Sequence, residues 1–153
     1  MSGPLKTIFD EIPPLLKPVK EEALIDFYEK LFNPIKDFRL NVLEIGTWRG
    51  GSALMFGRYL KNARILTVDI KDPPAEYYQA VESDAGLRGR LFFAGANQEE
   101  PRTISGAVVM NLGTDQMDVI IDDGCHFYGP TMESLFYLFR AELKPGGIYI
   151  VED

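Results

Sequence analysis

The sequence predicts an α/β protein built on a doubly wound parallel sheet. From Leu40 onward, short apolar runs rich in β-branched residues alternate with segments of helical periodicity. Strands that are apolar on both faces and joined by helical crossovers belong in a parallel sheet, and right-handed crossovers then place helices on both of its faces. A hydrophobic share of 46% in 153 residues is sufficient for one folded domain.

Five strands and four intervening helices follow from this alternation. The predicted strands are LNVLEIGT (40–47), ARILTVDI (63–70), RLFFAGAN (90–97), MDVIIDD (117–123) and GGIYIVED (146–153). The predicted helices are GGSALMFGRYLK (50–61), AEYYQAVES (75–83), EEPRTISGAVVMN (99–111) and PTMESLFYLFRAEL (130–143). In the last helix we expect Phe136, Tyr137 and Phe139 to lie in the core.

The first 39 residues form a separate helical segment that we expect to pack on the domain of residues 40–153. The stretch VKEEALIDFYEKLF (19–32) has apolar residues at helical spacing. The predicted apolar stripe consists of Ala23, Leu24, Phe27, Tyr28, Leu31 and Phe32.

Composition excludes several classes of function. A net charge of −7 disfavours binding to nucleic acid or to an anionic membrane surface, and a small substrate is favoured instead. The chain has a single cysteine, no 18-residue apolar span, and an N-terminus without the pattern of a signal peptide. We therefore expect a cytoplasmic protein, and the sequence leaves homo-oligomerisation open.

The first predicted strand runs into a glycine-rich turn, VLEIGTWRGGS (42–52). Glycines at this position allow the backbone to approach a ligand closely, and ligands of open α/β sheets gather at the carboxyl ends of the strands. The spacing here is G-x-x-x-G-G, whereas a dinucleotide fingerprint is G-x-G-x-x-G, so pyrophosphate binding is disfavoured. A plain strand-to-helix turn is the alternative interpretation.

Polar residues also end the second and third predicted strands. Asp69 follows Gly46 by 23 residues and suits a carboxylate that accepts hydrogen bonds from ribose hydroxyls. Asn97 and Gln98 are candidates for contact with a base or a sugar, and ordinary loop roles remain open for both.

Taken together, the stretch EIGTWRGGS, the acidic end of ARILTVDI and the polar end of the fourth strand resemble the class I methyltransferases that use S-adenosylmethionine. The resemblance implies a Rossmann-like sheet that binds this cofactor, with Trp48 at the middle glycine of the family's E-x-G-x-G-x-G pattern. The residues assigned to the cofactor are Glu44, Gly46, Thr47, Gly50, Ser52, Asp69, Asn97 and Asp122.

Two acidic pairs end the fourth and fifth predicted strands: Asp122 with Asp123, and Glu152 with Asp153. If these strands are neighbours in a parallel sheet, both pairs reach the same rim, where four carboxylates repel one another. Converging carboxylate oxygens are the ligands that Mg²⁺ prefers, and such a cation would relieve the repulsion.

The motifs IDDGCH (121–126) and PGGIYIVED (145–153) are similar to IDDGSH and PGG-x-Y-x-x-ED of the metal-dependent sugar O-methyltransferases that tailor macrolide and aminocoumarin antibiotics. The similarity covers residues 42–153. It implies that Asp123, Glu152 and Asp153 bind Mg²⁺, that Asp123 and His126 are catalytic with His126 as the base, and that the acceptor is a hydroxyl of a small, glycosylated natural product.

Other interpretations compete with this one. His126 can be an ordinary exposed loop histidine, and Cys125 is expected to be inert because its surroundings are acidic. The EIG-x-x-x-GGS turn is also similar to that of cephalosporin-hydroxylase-like proteins. A third alternative is a cofactor-binding fragment without turnover, because the family's sheet has seven strands and five are visible here.

Overall fold

The computed structural model describes residues 3–152, and within that range it contains five strands and six helices. The strands are β1 (Asn41–Ile45), β2 (Arg64–Asp69), β3 (Leu91–Gly95), β4 (Met117–Asp122) and β5 (Leu143–Val151). The helices are α1 (Pro4–Glu11), α2 (Glu22–Phe32), α3 (Gly51–Tyr59), α4 (Ala75–Ser83), α5 (Pro101–Leu112) and α6 (Tyr128–Ala141).

All neighbouring strands pair in parallel, in the order β3-β2-β1-β4-β5. The chain moves outward from β1 through β2 to β3 and then returns to the other side of β1 for β4 and β5. The strand order therefore reverses between β1 and β4, whose carboxyl ends lie side by side with Ile45 opposite Asp122. The fourth and fifth strands are neighbours, which is the condition under which their acidic ends reach the same rim.

Helices cover both faces of the sheet, as the sequence predicts. On one face, Val42, Ile65 and Val119 pack with residues of α1 to α4. On the other, Leu43 and Ile120 pack with residues of α5 and α6. Successive strand residues point to opposite faces, so each central strand needs apolar side chains at nearly every position, and that requirement produces the continuous apolar runs of the sequence.

The helix expected in residues 19–32 corresponds to α2 and differs from its prediction in both its start and its buried face. Helix α2 begins at Glu22, three residues later than predicted, and its buried residues are Ile25, Tyr28 and Phe32. Phe27, which the predicted stripe included, is 48% exposed. The reason is a cluster in which the rings of Tyr28 and Phe32 pack against Phe56 of α3, with centroids 4.9 and 5.7 Å away.

The prediction of an aromatic core in α6 is wrong for Phe136 and Phe139, whereas Tyr137 is partly buried and packs against the core. Phe136 and Phe139 are 64% and 56% exposed, whereas Ser134 and Leu138 are buried. Residues four apart share one helix face, so the Ser134 and Leu138 face that packs on the sheet turns Phe136 to the opposite side.

Strand β5 starts at Leu143, three residues before the predicted start. Leu143 pairs with Met117, and the register then shifts so that Ile148 pairs with Val119. Gly146, with φ of +81°, lies inside this irregular stretch. None of the helices in the described range is long and apolar enough to span a membrane.

The Phe56 contact provides a test of how the N-terminal helices are held. We expect Phe56→Ala to destabilise the protein by about 3–5 kcal/mol, because it leaves a cavity among buried rings. Chemical denaturation measures the change. The matched control is Phe136→Ala, which removes the same atoms from an exposed position and should cost much less. Equal effects of the two substitutions would contradict the packing described.

Candidate active site

The loop after β1 lies directly against the loop after β4. The amide of Gly46 donates to the carbonyl of Val68 (2.8 Å), and the amide of Asp123 donates to the carbonyl of Ile45 (2.9 Å). Gly46 has φ of +94°, and a Cβ atom at this residue would lie 1.9 Å from the carbonyl oxygen of Asp123. Only glycine satisfies both conditions, so this residue lets the two loops form one surface.

Trp48 occupies the position where the family pattern has its middle glycine, and it adopts a left-handed φ of 46°. Its amide donates to Oδ2 of Asp69 (2.8 Å). The guanidinium of Arg49 lies 4.4 Å from the centroid of the Trp48 ring, a cation–π contact. These contacts hold the turn in the conformation that glycine would adopt, and they fix the Asp69 carboxylate at the mouth of the turn.

Glu44 is fully buried beneath this turn. Its Oε2 accepts a hydrogen bond from the hydroxyl of Thr67 (2.8 Å), and that hydroxyl also lies 2.7 Å from the hydroxyl of Thr47. Burial raises the pKa of Glu44 to about 7, although hydrogen bonds and the charge of Lys20 act in the opposite direction. Glu44 therefore supports the turn from below.

Asp122 is also buried and points away from solvent. Its Oδ1 accepts from the side-chain amide of Gln98 (2.7 Å), and its Oδ2 accepts from the hydroxyl of Ser134 (3.0 Å). Burial raises the pKa of Asp122 above its ordinary value, and the hydrogen bonds from Ser134 and Gln98 oppose that change. The carboxylate connects β4 to α6 and to the loop after β3.

Gln98 completes this connection. Its Oε1 accepts from the backbone amide of Cys125 (2.9 Å), so one side chain holds both the end of β4 and the loop that follows. Gln98 is a candidate for ligand contact in the sequence, but its amide is engaged by the protein itself. Asn97 beside it accepts the amide of Glu99 at Oδ1 (3.0 Å), which leads the chain towards α5.

The acidic rim consists of Asp123 and Glu152, and the ammonium group of Lys20 offsets part of its charge. The ammonium nitrogen of Lys20 lies 2.8 Å from Oδ2 of Asp123 and 2.6 Å from Oε2 of Glu152. Tyr28 donates to Oε1 of Glu152. Burial acts against the charge of Lys20, but attraction to Asp123 and Glu152 outweighs burial, so the pKa of Lys20 is raised above 10.5.

The third predicted metal ligand, Asp153, lies outside the described residues. Within residues 3–152, no group of three His, Cys, Asp or Glu side chains is placed to hold a metal ion. The carboxylates of Asp123 and Glu152 do converge on one position of cation size, and their oxygen donors suit a hard divalent cation. Sequence reasoning identifies the need for a cation there but misses Lys20.

His126 lies at the edge of the same rim, with φ of 57°. Its Nδ1 is 3.2 Å from the carbonyl oxygen of Glu152, and its Nε2 is 3.6 Å from Oδ1 of Asp123. A carbonyl oxygen only accepts, so Nδ1 carries the proton in this contact, and Nε2 of the neutral ring is then free to accept one.

A cavity of about 640 Å³ opens at the reversal point of the sheet and joins these groups. Five of the predicted cofactor residues line it: Gly46, Thr47, Ser52, Asp69 and Asn97. Asp123 and His126 line the same cavity. Glu44 and Asp122 lie behind the wall, and a Cβ atom at Gly50 would meet the ring of Tyr77. The volume is within the range of cofactor pockets, about 300–1,000 Å³.

A doubly wound parallel sheet with a cavity at its reversal point is the arrangement of Rossmann-like folds. Comparison with known proteins assigns the chain to the methyltransferases within that class. Residues 43–153 match the profile of a family described as a methyltransferase domain, so the chain belongs to that family. The predicted relationship to methyltransferases is thereby confirmed.

Individual relatives agree with the family. The chain is 30% identical over 136 residues to the 8-demethyl-8-alpha-L-rhamnosyl tetracenomycin-C 2'-O-methyltransferase of Streptomyces olivaceus, covering 82% of this chain and 32% of the relative. It is 29% identical over 133 residues to the mycinamicin VI 2''-O-methyltransferase of Micromonospora griseorubida, covering 82% and 30%. The chain thus spans about a third of the length of these relatives.

Among solved structures, the chain is similar to the MycE methyltransferase of mycinamycin biosynthesis, which was determined with Mg, SAH and mycinamycin VI. The TM-score is 0.70 at 22% identity, and the match covers 99% of this chain and 35% of that one. At this identity the likeness establishes the fold, which agrees with the five-stranded parallel sheet described above.

The buried carboxylate of Glu44 predicts a dependence of stability on pH. Its pKa is raised on folding, so its contribution to stability is full below the unfolded pKa of 4.5 and is lost as the pH rises through about 7. The loss amounts to about 3 kcal/mol. We expect Glu44→Gln to be more stable than the wild type at pH 8 by an amount of this order, and to show little difference at pH 4.5.

Thermal unfolding at the two pH values, without ligand, measures this difference. The control is Glu82→Gln, which changes an exposed glutamate of α4 and should leave the pH dependence of the wild type intact. A Glu44→Gln protein with the same pH dependence as the wild type would contradict a raised pKa at this residue.

Proposed function

We propose that the chain forms the cofactor-binding and catalytic part of an S-adenosylmethionine-dependent, Mg²⁺-assisted O-methyltransferase. The proposed acceptor is a hydroxyl of a small, sugar-bearing natural product. The observation that carries the proposal is that one cavity is lined both by the glycine turn with Asp69 and by Asp123 with His126. A group bound at the turn therefore lies next to the acidic rim.

The residues at the turn fit the cofactor. Gly46, Thr47 and Ser52 of the turn line the cavity, and Gly46 lets the loop after β4 pack directly against them. Asp69 ends β2 and lines the same cavity, and its carboxylate is the group proposed to accept hydrogen bonds from the ribose hydroxyls. S-adenosylmethionine would supply an electrophilic methyl group at this site. Relatives named as O-methyltransferases of sugar-bearing antibiotics support the choice of acceptor.

The rim contributes orientation and proton transfer. Asp123 and Glu152, with Asp153, are the proposed ligands of a divalent cation, which would orient an acceptor hydroxyl and lower its pKa. His126 would accept the hydroxyl proton at Nε2, because Nδ1 is held by the carbonyl of Glu152. The carbonyl contact fixes the ring, so the base faces Asp123 without further movement of the backbone.

Asp69 tests the cofactor side of the proposal. Asp69→Ala should weaken the binding of S-adenosylhomocysteine about 10- to 100-fold, since hydrogen bonds from ribose to a charged acceptor are lost. Calorimetry measures the affinity. Asp72→Ala, which removes an exposed carboxylate three residues away, is the control and should bind normally. Unchanged affinity in Asp69→Ala would remove this residue from the site.

His126 tests the chemistry. His126→Ala should lower methyl transfer to a glycoside hydroxyl by about 10²–10⁴-fold, the contribution of a general base. Binding of S-adenosylhomocysteine should be unchanged, because the turn and Asp69 are untouched. Single-turnover assays and calorimetry separate the two effects. A variant that kept the full rate would show that another group accepts the proton.

A further inference from the structure

Lys20 occupies the position at which the two described rim ligands converge. Its ammonium nitrogen is within 2.8 Å of oxygens from both Asp123 and Glu152. The Lys20 side chain is 2% exposed, and that of Glu152 is 8% exposed. Lys20 thus forms hydrogen-bonded ion pairs with two residues that lie more than a hundred positions later in the sequence.

An ammonium group and a divalent cation cannot share this position. Both would need the same carboxylate oxygens, and at separations of about 3 Å in a buried site the repulsion between their charges exceeds any hydrogen bond. Lys20 is outside the residues that match the methyltransferase family. The competing charge therefore comes from a part of the chain that the family's motifs do not include.

Lys20 also anchors a segment that borders the cavity, the N-terminal strap (residues 13–21). Leu16 is buried, and its carbonyl packs so closely on α3 that a Cβ atom at Gly51 would lie 2.0 Å from it. Pro18 and Val19 line the cavity. The strap is thus held by Leu16 and Pro18, which pack on Gly51 of α3, and by the Lys20 ammonium near its end.

We propose that Lys20 is a built-in competitor for the divalent cation, and that cation binding expels its ammonium group and frees residues 17–21 from the cavity edge. The inference rests on the cation site of the proposed function. In this inference the strap regulates the cation site. Cation binding and the release of residues 17–21 from the cavity edge are coupled, so each favours the other.

Calorimetry with MgCl₂ alone tests the competition. Lys20→Met should bind Mg²⁺ about 10- to 100-fold more tightly than the wild type, because the cation no longer has to break charged hydrogen bonds. Lys20→Arg keeps the charge and should bind weakly, like the wild type. Lys61→Met removes an exposed lysine between α3 and β2. This lysine lies at the amino-terminal end of the strands, away from the rim, and the variant should also behave like the wild type.

Hydrogen exchange of the wild type gives a second measurement that does not depend on how well Lys20→Met folds. Saturating Mg²⁺ should speed exchange of the backbone amides of Lys17 and residues 19–21 and leave those of α3 unchanged. Equal Mg²⁺ affinity in the wild type and Lys20→Met, or a strap whose exchange ignores Mg²⁺, would overturn the inference.

The two proposals fail in different ways. If no variant binds Mg²⁺ while S-adenosylhomocysteine still binds, both the competition and the cation site are wrong, and the cofactor site stands. If S-adenosylhomocysteine does not bind either, the proposed function itself is wrong.

Discussion

The close approach of two loops at the reversal point of the sheet is the constraint on which the site depends. Gly46, without a side chain and with a positive φ, packs against the carbonyl of Asp123, while the amide of Asp123 bonds back to β1. A larger residue at this position would separate the glycine turn from the loop that carries Asp123, Cys125 and His126. Asp123, His126 and the glycine turn line one cavity because this contact is made.

Concentrating carboxylates at that rim has an electrostatic cost, and the protein meets it in two ways. Asp122 is turned inward and satisfied by Gln98 and Ser134, so it does not add to the charge at the cavity. Asp123 and Glu152 remain directed at one point and share the ammonium of Lys20. Adjacent acidic residues in sequence thus have opposite roles, since one fixes the loop and the other provides charge.

The sheet is predictable because its rules are local and repetitive. Apolar runs, glycine turns and polar strand ends are enough to place five residues at the carboxyl ends of the strands. All five line one cavity: Gly46, Asp69, Asn97, Asp123 and His126. The faces of α2 and α6 are not predictable in this way, because both helices carry apolar residues on more than one side and only tertiary packing selects between them. Lys20 escapes prediction because nothing local links residue 20 to residues 123 and 152.

The groups around the cavity come from two separate parts of the chain. Every group proposed to contact the cofactor or to transfer a proton comes from the sheet domain after residue 40, whereas the ammonium group that offsets part of the rim's charge, and part of the cavity edge, come from residues 13–21. A rim built only from the sheet would leave the repulsion between two converging carboxylates without the Lys20 charge. Lys20 offsets part of that repulsion, so under the proposed competition the affinity for a divalent cation would be set by the difference between two cations and not by the carboxylates alone.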